Sequence, residues 1–102
     1  MPYINFINVD NDTVLNFRKE HLNDFSEITS ASLENIHTII SSERFVGEDN
    51  TAYIRIEWMN RDKAVEESVV ILLKKFLQNN GFDNVIVYFI SINKDHYYVG
   101  ND

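Results

Sequence analysis

The sequence contains no cysteine, one proline and three glycines among its 102 residues. The absence of cysteine excludes disulfide bonds, catalysis by a thiolate and metal sites built on cysteine. Three glycines do not form a glycine-rich phosphate loop. His21 and His96 have no partners at the spacing of metal ligands. The sequence therefore predicts neither a metal nor a cofactor.

Basic residues are also scarce. Nine Lys and Arg stand against 16 Asp and Glu, which gives a formal net charge of −7. Nucleic acids and anionic membrane surfaces are bound through basic side chains, so we expect neither as a partner. A small anionic substrate remains compatible, because a pocket can be locally basic in an acidic protein. There is no signal-peptide pattern and no apolar run long enough to span a bilayer, so we expect a cytoplasmic protein.

The chain repeats one order of predicted elements. In the first half, apolar periodicity predicts a strand over residues 3–9, a helix to about residue 29 and a strand over 35–40. In the second half, it predicts a strand over 53–59, a helix that begins after the capping residues 60–62 and stops at 79–81, and a strand over 85–92. The letters repeat as well, since Tyr3-Ile4-Asn5-Phe6 resembles Tyr53-Ile54-Arg55-Ile56. We therefore expect one domain over 1–102, built from two units of about 1–46 and 51–102.

Two β-α-β units predict an α+β fold. The helices are long enough to be crossover connections, so the expected architecture is a four-stranded mixed sheet with both helices on one face. The same order of elements also occurs in ferredoxin-like ligand-binding modules. These differ in strand order, because their crossovers skip a strand, so the order in the sheet separates the two alternatives.

The last predicted strand is apolar on both sides. Val85, Val87 and Phe89 lie on one side of it, and Ile86, Tyr88 and Ile90 on the other. One face of the sheet is expected under the helices, and a second apolar face also requires a cover. Another copy of the chain is the available cover, so the sequence predicts an oligomer.

The single proline, Pro2, stands directly behind Met1 at the start of the first strand. Proline is tolerated there as an ordinary structural residue, because the first position of a strand can lack an N–H. Removal of Met1 would instead make Pro2 a secondary amine that can take or give a proton.

Proline in this position, an alternating first strand and the doubled β-α-β pattern resemble the tautomerase superfamily, which includes 4-oxalocrotonate tautomerase and macrophage migration inhibitory factor. The chain is most similar to an uncharacterised bacterial branch with a tryptophan near the end of the third strand, here Trp58, and a tyrosine pair near the C-terminus, here Tyr97-Tyr98. The resemblance implies a homotrimer with an active site at each subunit junction. It also implies that Pro2 is the general base or acid of a keto–enol tautomerisation.

The chain departs from the polar residues of that superfamily. The arginine that 4-oxalocrotonate tautomerase has near the first helix falls at Asp12, and the corresponding arginine on the second strand falls at His37. The lysine that the macrophage migration inhibitory factor branch has before that strand falls near Ala31, and that branch's tyrosine and asparagine on the last strand fall at Ile86 and Tyr88. Substrates known for the superfamily are therefore not transferred to this chain.

Five residues complete the candidate site around the catalytic Pro2. The candidate substrate-binding residues are His37, Arg44, Phe45, Arg61 and Tyr88. Arginine pairs with a carboxylate through two hydrogen bonds, histidine gains charge at about pH 6.5, and a tyrosine hydroxyl can donate to a substrate oxygen. Each also has a structural interpretation: a structural histidine, surface arginines, a core phenylalanine and a tyrosine in a subunit interface.

The expected function is proton transfer by Pro2 on a small, enolisable keto acid. The alternatives are a non-catalytic trimer of the same fold and the ferredoxin-like binding module.

Overall fold

The computed structural model describes residues 2–43, 47 and 50–100 and contains four strands and two α-helices in that part of the chain. The elements are β1 (Tyr3–Ile7), α1 (Asn11–Thr29), β2 (His37–Ile40), β3 (Thr51–Trp58), α2 (Lys63–Asn79) and β4 (Asn84–Ser91). Two 3₁₀ turns, Leu33–Asn35 and Lys94–His96, precede β2 and follow β4.

The strands form one mixed sheet in the order β2-β1-β3-β4. β1 pairs parallel with β2, β3 pairs parallel with β4, and the central β1 and β3 are antiparallel. The two strands of each β-α-β unit are therefore direct neighbours, with no strand skipped. This order confirms the predicted fold class, and the ferredoxin-like alternative is wrong.

Side-chain caps and left-handed residues set the ends of the helices. Asp10 caps α1 by accepting hydrogen bonds from the N–H and the hydroxyl of Thr13, at 3.1 and 2.7 Å. Ser30 ends the same helix in the left-handed conformation, with a φ of 59°. Gly81 follows α2 with a φ of 96°, a conformation that only glycine adopts without strain. The predicted helix limits near residues 29 and 80 are confirmed.

Two predicted strands are shorter than the apolar pattern suggested. β1 ends at Ile7 because Asn8 has a positive φ of 66°, which takes the chain out of the sheet toward α1. β2 begins at His37, because residues 33–35 form a 3₁₀ turn in which the Ile36 N–H bonds the Leu33 carbonyl at 3.2 Å. Both changes lie at element ends and leave the topology unaltered.

The core lies between the helices and one face of the sheet. Phe17 of α1 is fully buried at its centre, with its ring 5.5 Å from those of Phe6 and Phe76. The sheet contributes Ile4, Phe6, Ala52, Ile54, Ile56, Trp58 and Val85 to this core. The two helices are therefore fixed against β1 and β3, and these central strands position the N-terminal end of the chain.

The opposite face of the sheet carries no helix in the described part of the chain. Along its outer strand, Ile86, Tyr88 and Ile90 are exposed to 38, 40 and 43%. Near the middle of this open face, Asn5 of β1 pairs with Arg55 of β3, the residue at the equivalent position of the internal repeat. The two units thus meet around a local pseudo-twofold axis. Within the described residues, neither helix has the length and apolar character needed to cross a bilayer.

Candidate functional site

The candidate site lies at the N-terminal end of β1, where Pro2 is buried. The carbonyl of Pro2 accepts a hydrogen bond of 2.9 Å from the backbone N–H of His37, at the start of β2. On the other side, Tyr3 of β1 pairs with Glu57 of β3. The same register, extended by one residue, places Pro2 opposite Trp58. Two neighbouring strands therefore hold this residue at one edge of the core.

An aromatic and polar cluster forms around Tyr3, the residue after Pro2, at the same end of the sheet. The ring of Tyr3 stacks on the imidazole of His37, with centroids 4.8 Å apart and planes 21° from parallel. The hydroxyls of Tyr3 and Tyr97 form a hydrogen bond of 2.6 Å. Tyr97 follows the 3₁₀ turn after β4, so the C-terminal segment returns to the start of the chain. The bond to Tyr3 raises the pKa of the Tyr97 phenol above its ordinary value.

A cation lies at the same end of the sheet. The guanidinium carbon of Arg61 is 5.5 Å from the centroid of the buried Trp58 ring, and its Nη1 donates to the Met59 carbonyl at 2.6 Å. Trp58 stacks on Phe89 at 4.8 Å, which fixes the plane under the guanidinium. This cation–π contact keeps Arg61 near the strand end that faces Pro2.

Tyr88 lies apart from this cluster, on the open face of the edge strand β4. Its cross-strand partner is Arg55 of β3. The Arg55 Nε is buried, has no hydrogen-bond partner among the described residues and lies 3.9 Å from Glu57 Oε1. Sequence analysis did not single out Arg55 as a candidate cation, because an arginine in an alternating strand is equally typical of a side chain that faces solvent.

The structure thus brings Pro2, His37 and Arg61 to one end of the sheet and separates Tyr88 from them within one chain. Arg44 and Phe45, the two other candidates, lie outside the described residues. The hydroxyl contact between Tyr3 and Tyr97 was missed, because its partners are 94 positions apart and share no local pattern. Their only sequence signal was the C-terminal tyrosine pair noted in the resemblance.

The described part of the chain contains no group of three or more histidine and acidic side chains able to hold a metal. His21 pairs with Asp24 on the surface of α1, at 2.9 Å between Nδ1 and Oδ2. One carboxylate and one imidazole on an exposed helix do not make up a tetrahedral metal site.

The whole chain, residues 1–102, matches the family model described as "Domain of unknown function (DUF1904)". The chain belongs to the DUF1904 family. A comparison with curated proteins finds no match for this DUF1904 chain. Its relationships beyond the family therefore rest on solved structures.

Several solved structures share the fold of this DUF1904 chain. A DUF1904 protein from Sebaldella termitidis ATCC 33386 superposes with a TM-score of 0.88 at 17% identity, covering 97% of this chain and 95% of that one. The macrophage migration inhibitory factor-like protein from Entamoeba histolytica gives a TM-score of 0.74 at 16% identity, with coverages of 97 and 95%. Malonate semialdehyde decarboxylase gives 0.73 at 11% identity, with coverages of 97 and 91%.

These similarities establish a tautomerase-like fold, as the resemblance predicted. At sequence identities of 11–17%, these similarities show the fold alone.

Proposed function

We propose that this DUF1904 protein is a tautomerase-like enzyme that uses Pro2 as general base and acid on a small, enolisable keto acid. The observation that carries the proposal is a buried proline at the start of β1, held by the His37 N–H, in a tautomerase-like fold. The structures of malonate semialdehyde decarboxylase include a proline-to-alanine mutant, which lends support to a role for proline in this fold.

The proposed reaction is a proton shift between carbon and oxygen. After Met1 is removed, the free Pro2 amine takes a proton from the carbon beside the keto group. The electrons of the broken C–H bond form a C=C bond, and the carbonyl π electrons move to oxygen as an enolate. The prolinium then delivers its proton to that oxygen, which gives the enol and restores the neutral amine.

The burial of Pro2 supports its role as a base. An ordinary α-amino group has a pKa of about 7.7–8.0, and the pKa of a free proline amine is higher. Burial in an apolar environment disfavours the charged form and lowers the pKa of an amine. A base is most effective when its pKa lies near the ambient pH. The apolar neighbours Ile36 and Trp58, both buried, act in that direction.

The remaining candidates have binding roles in this proposal. His37 and Arg61 lie at the Pro2 end of the sheet and are suited to a substrate carboxylate. Tyr88 would reach the Pro2 site of a neighbouring subunit from the open face. Arg44 and Phe45 keep the roles that the sequence gave them, as a further cation and a pocket wall.

The assembly that we propose is a homotrimer, and the compartment is the cytoplasm. The apolar stripe on the open face supports the trimer, because side chains exposed to 38–43% would gain from the cover of another copy. Association along this face would also bring Tyr88 of one chain to another chain's site.

A non-catalytic trimer is the second candidate, and the position of Met1 favours it. While Met1 precedes Pro2, the proline nitrogen belongs to a peptide bond and cannot take a proton.

The decisive experiment compares Met1-trimmed protein, its Pro2→Ala variant and a form that keeps Met1. Intact mass first establishes the N-terminus of each. We expect enolisation of an arylpyruvate, followed by ultraviolet absorbance, only with the trimmed wild type. Equal rates in all three forms would show that Pro2 is a structural residue.

A further inference from the structure

A cleft between the two helices forms a second candidate site, away from Pro2. Its volume is about 460 Å³, with Glu20 of α1 on one wall and Lys75 of α2 on the other. The other residues around it also belong to these helices or to the C-cap of α2. Neither His37 nor Trp58, the neighbours of Pro2, lines this cleft, which is called the helix cleft below. Its volume lies within the range of about 300–1,000 Å³ that is typical of small-molecule sites.

We propose that the helix cleft binds a free α-amino acid with an aliphatic side chain. The inference goes beyond the proposed function and does not depend on it, because the ligand neither contacts Pro2 nor takes part in its reaction. It also gives a role to charged residues that sequence analysis did not single out.

The two walls of the helix cleft carry opposite charges that do not pair. In the described part of the chain, neither Glu20 nor Lys75 forms an ion pair, with the other or with any third residue. A zwitterion satisfies both walls at once, because Lys75 donates to its carboxylate and Glu20 accepts from its ammonium group. A ligand with a single charge would leave one wall without a partner.

The C-terminal end of α2 also favours the ammonium group. Its last turn contains no basic residue, so no side chain there offsets the partial negative charge of the helix end. Asn79 of this turn lines the helix cleft, one helical turn beyond Lys75. An amino acid with its ammonium group near Asn79 and Glu20 and its carboxylate near Lys75 is therefore aligned with the charge of the helix.

Aromatic contacts hold the apolar floor of the helix cleft in place. The ring of Phe76, which is buried, lies 5.5 Å from the ring of Phe17 and 5.3 Å from the imidazole of His21, both edge to face. The imidazole is held in turn by Asp24, at 2.9 Å between Nδ1 and Oδ2. A floor that is fixed before the ligand arrives lowers the entropic cost of binding.

A second hollow continues the helix cleft along the two helices. It has a volume of about 350 Å³ and shares Leu72 and Lys75 with the helix cleft. Ile28 and Ile71 add apolar surface to this hollow, and Ile71 is 67% exposed. An aliphatic side chain that extends past Lys75 would cover this surface, so leucine should bind more tightly than alanine.

The test measures binding of L-leucine to the full chain by heteronuclear NMR titration of isotope-labelled protein. N-acetyl-L-leucine lacks the ammonium charge, and L-leucinamide lacks the carboxylate charge. The cleft variants are Glu20→Gln and Lys75→Met. Their matched controls are Glu34→Gln and Lys74→Met, which remove the same charges from exposed positions that do not line the helix cleft. Circular dichroism verifies that each variant is folded.

We expect L-leucine to bind with a dissociation constant below about 1 mM and to shift the amide signals of α1 and α2. L-alanine and the two leucine derivatives should bind at least about 10-fold more weakly, because a hydrogen bond to a charged group contributes about that factor or more. Glu20→Gln should weaken L-leucine by about 10-fold and leave N-acetyl-L-leucine unchanged, because that ligand lacks the charge that Glu20 binds. Lys75→Met should act in the same way on L-leucine and L-leucinamide. Both controls should retain the wild-type affinity.

Absence of saturable shifts with L-leucine at millimolar concentration would overturn the inference. Equal affinities for L-leucine and its two derivatives would do the same, as would equal losses in the cleft variants and their controls. Shifts centred on Tyr3 and His37 would place the ligand at the Pro2 end of the sheet and also overturn it. None of these outcomes affects the enolisation assay of the proposed function, so the two fail separately.

Discussion

Replacing Ile86 by glutamate should dissociate the proposed trimer. Ile86 is 38% exposed on the open face of a single chain. Since full burial of an isoleucine contributes about 1.5–3 kcal/mol, covering the exposed remainder stabilises the assembly by about 1 kcal/mol per chain, or about 3 kcal/mol per trimer. A glutamate there forfeits that gain and buries a charge at a cost of several kcal/mol in each chain. The total penalty is on the order of 10 kcal/mol, which is large enough to prevent association at micromolar concentration.

Sedimentation velocity measures the effect directly. The wild type should sediment at about three times the 12.0 kDa mass of one chain, and Ile86→Glu as a single chain. Ile71→Glu is the matched control, because Ile71 is 67% exposed on α2, away from the open face, and should leave the trimer intact. Circular dichroism verifies that both variants are folded. A monomeric wild type, or a trimeric Ile86→Glu variant, would refute the reasoning.

Two further predictions concern the helix ends. Gly81→Ala should lower the free energy of unfolding, measured in urea, by about 1–2 kcal/mol. The cause is backbone strain alone, because the φ is +96° and an added Cβ meets no atom within 4 Å. Gly100→Ala, without a positive φ, should have no effect, and equal costs in both would contradict this cause. Asp10→Ala should cost about 1 kcal/mol at pH 7 by removing the cap of α1. The hydrogen bond from the Thr13 side chain lowers the pKa of Asp10, so its contribution is present above about pH 4 and is lost as the pH falls through the lowered pKa. The difference in free energy of unfolding between the wild type and Asp10→Ala should therefore become smaller in acid. A difference that grows in acid would exclude an ionised Asp10 as the cap.

The local sequence determined the elements and most of their ends. Asp10 and Gly81 act through hydrogen bonds and backbone angles within a few residues of themselves, so their roles can be recognised from neighbouring letters alone. The apolar stripe of α2 and the two-sided apolar pattern of β4 likewise depend only on the periods of a helix and a strand. For the same reason, the sequence predicted a second sheet face that one chain leaves uncovered.

Of the candidate site, sequence analysis identified Pro2 but could not show its surroundings. Its position at the start of a strand, the internal repeat and the resemblance were enough to select it. Its burial and its bond to His37 come from the pairing of β1 with β2, in which partners such as Tyr3 and His37 stand 34 positions apart in the chain.

Only the tertiary structure decided the order β2-β1-β3-β4, which separates this fold from the ferredoxin-like alternative with the same elements in the chain. The order of strands across a sheet depends on how the crossover helices pack on its face, and no short stretch of sequence encodes it. The meeting of Tyr3 with Tyr97 is decided in the same way, because both ends of the chain must first be placed by the sheet between them. The sequence by itself specified which residues form strands and helices, since those depend on near neighbours. The contacts that assemble a site around Pro2 join distant residues, and they arise only when the whole sheet has formed.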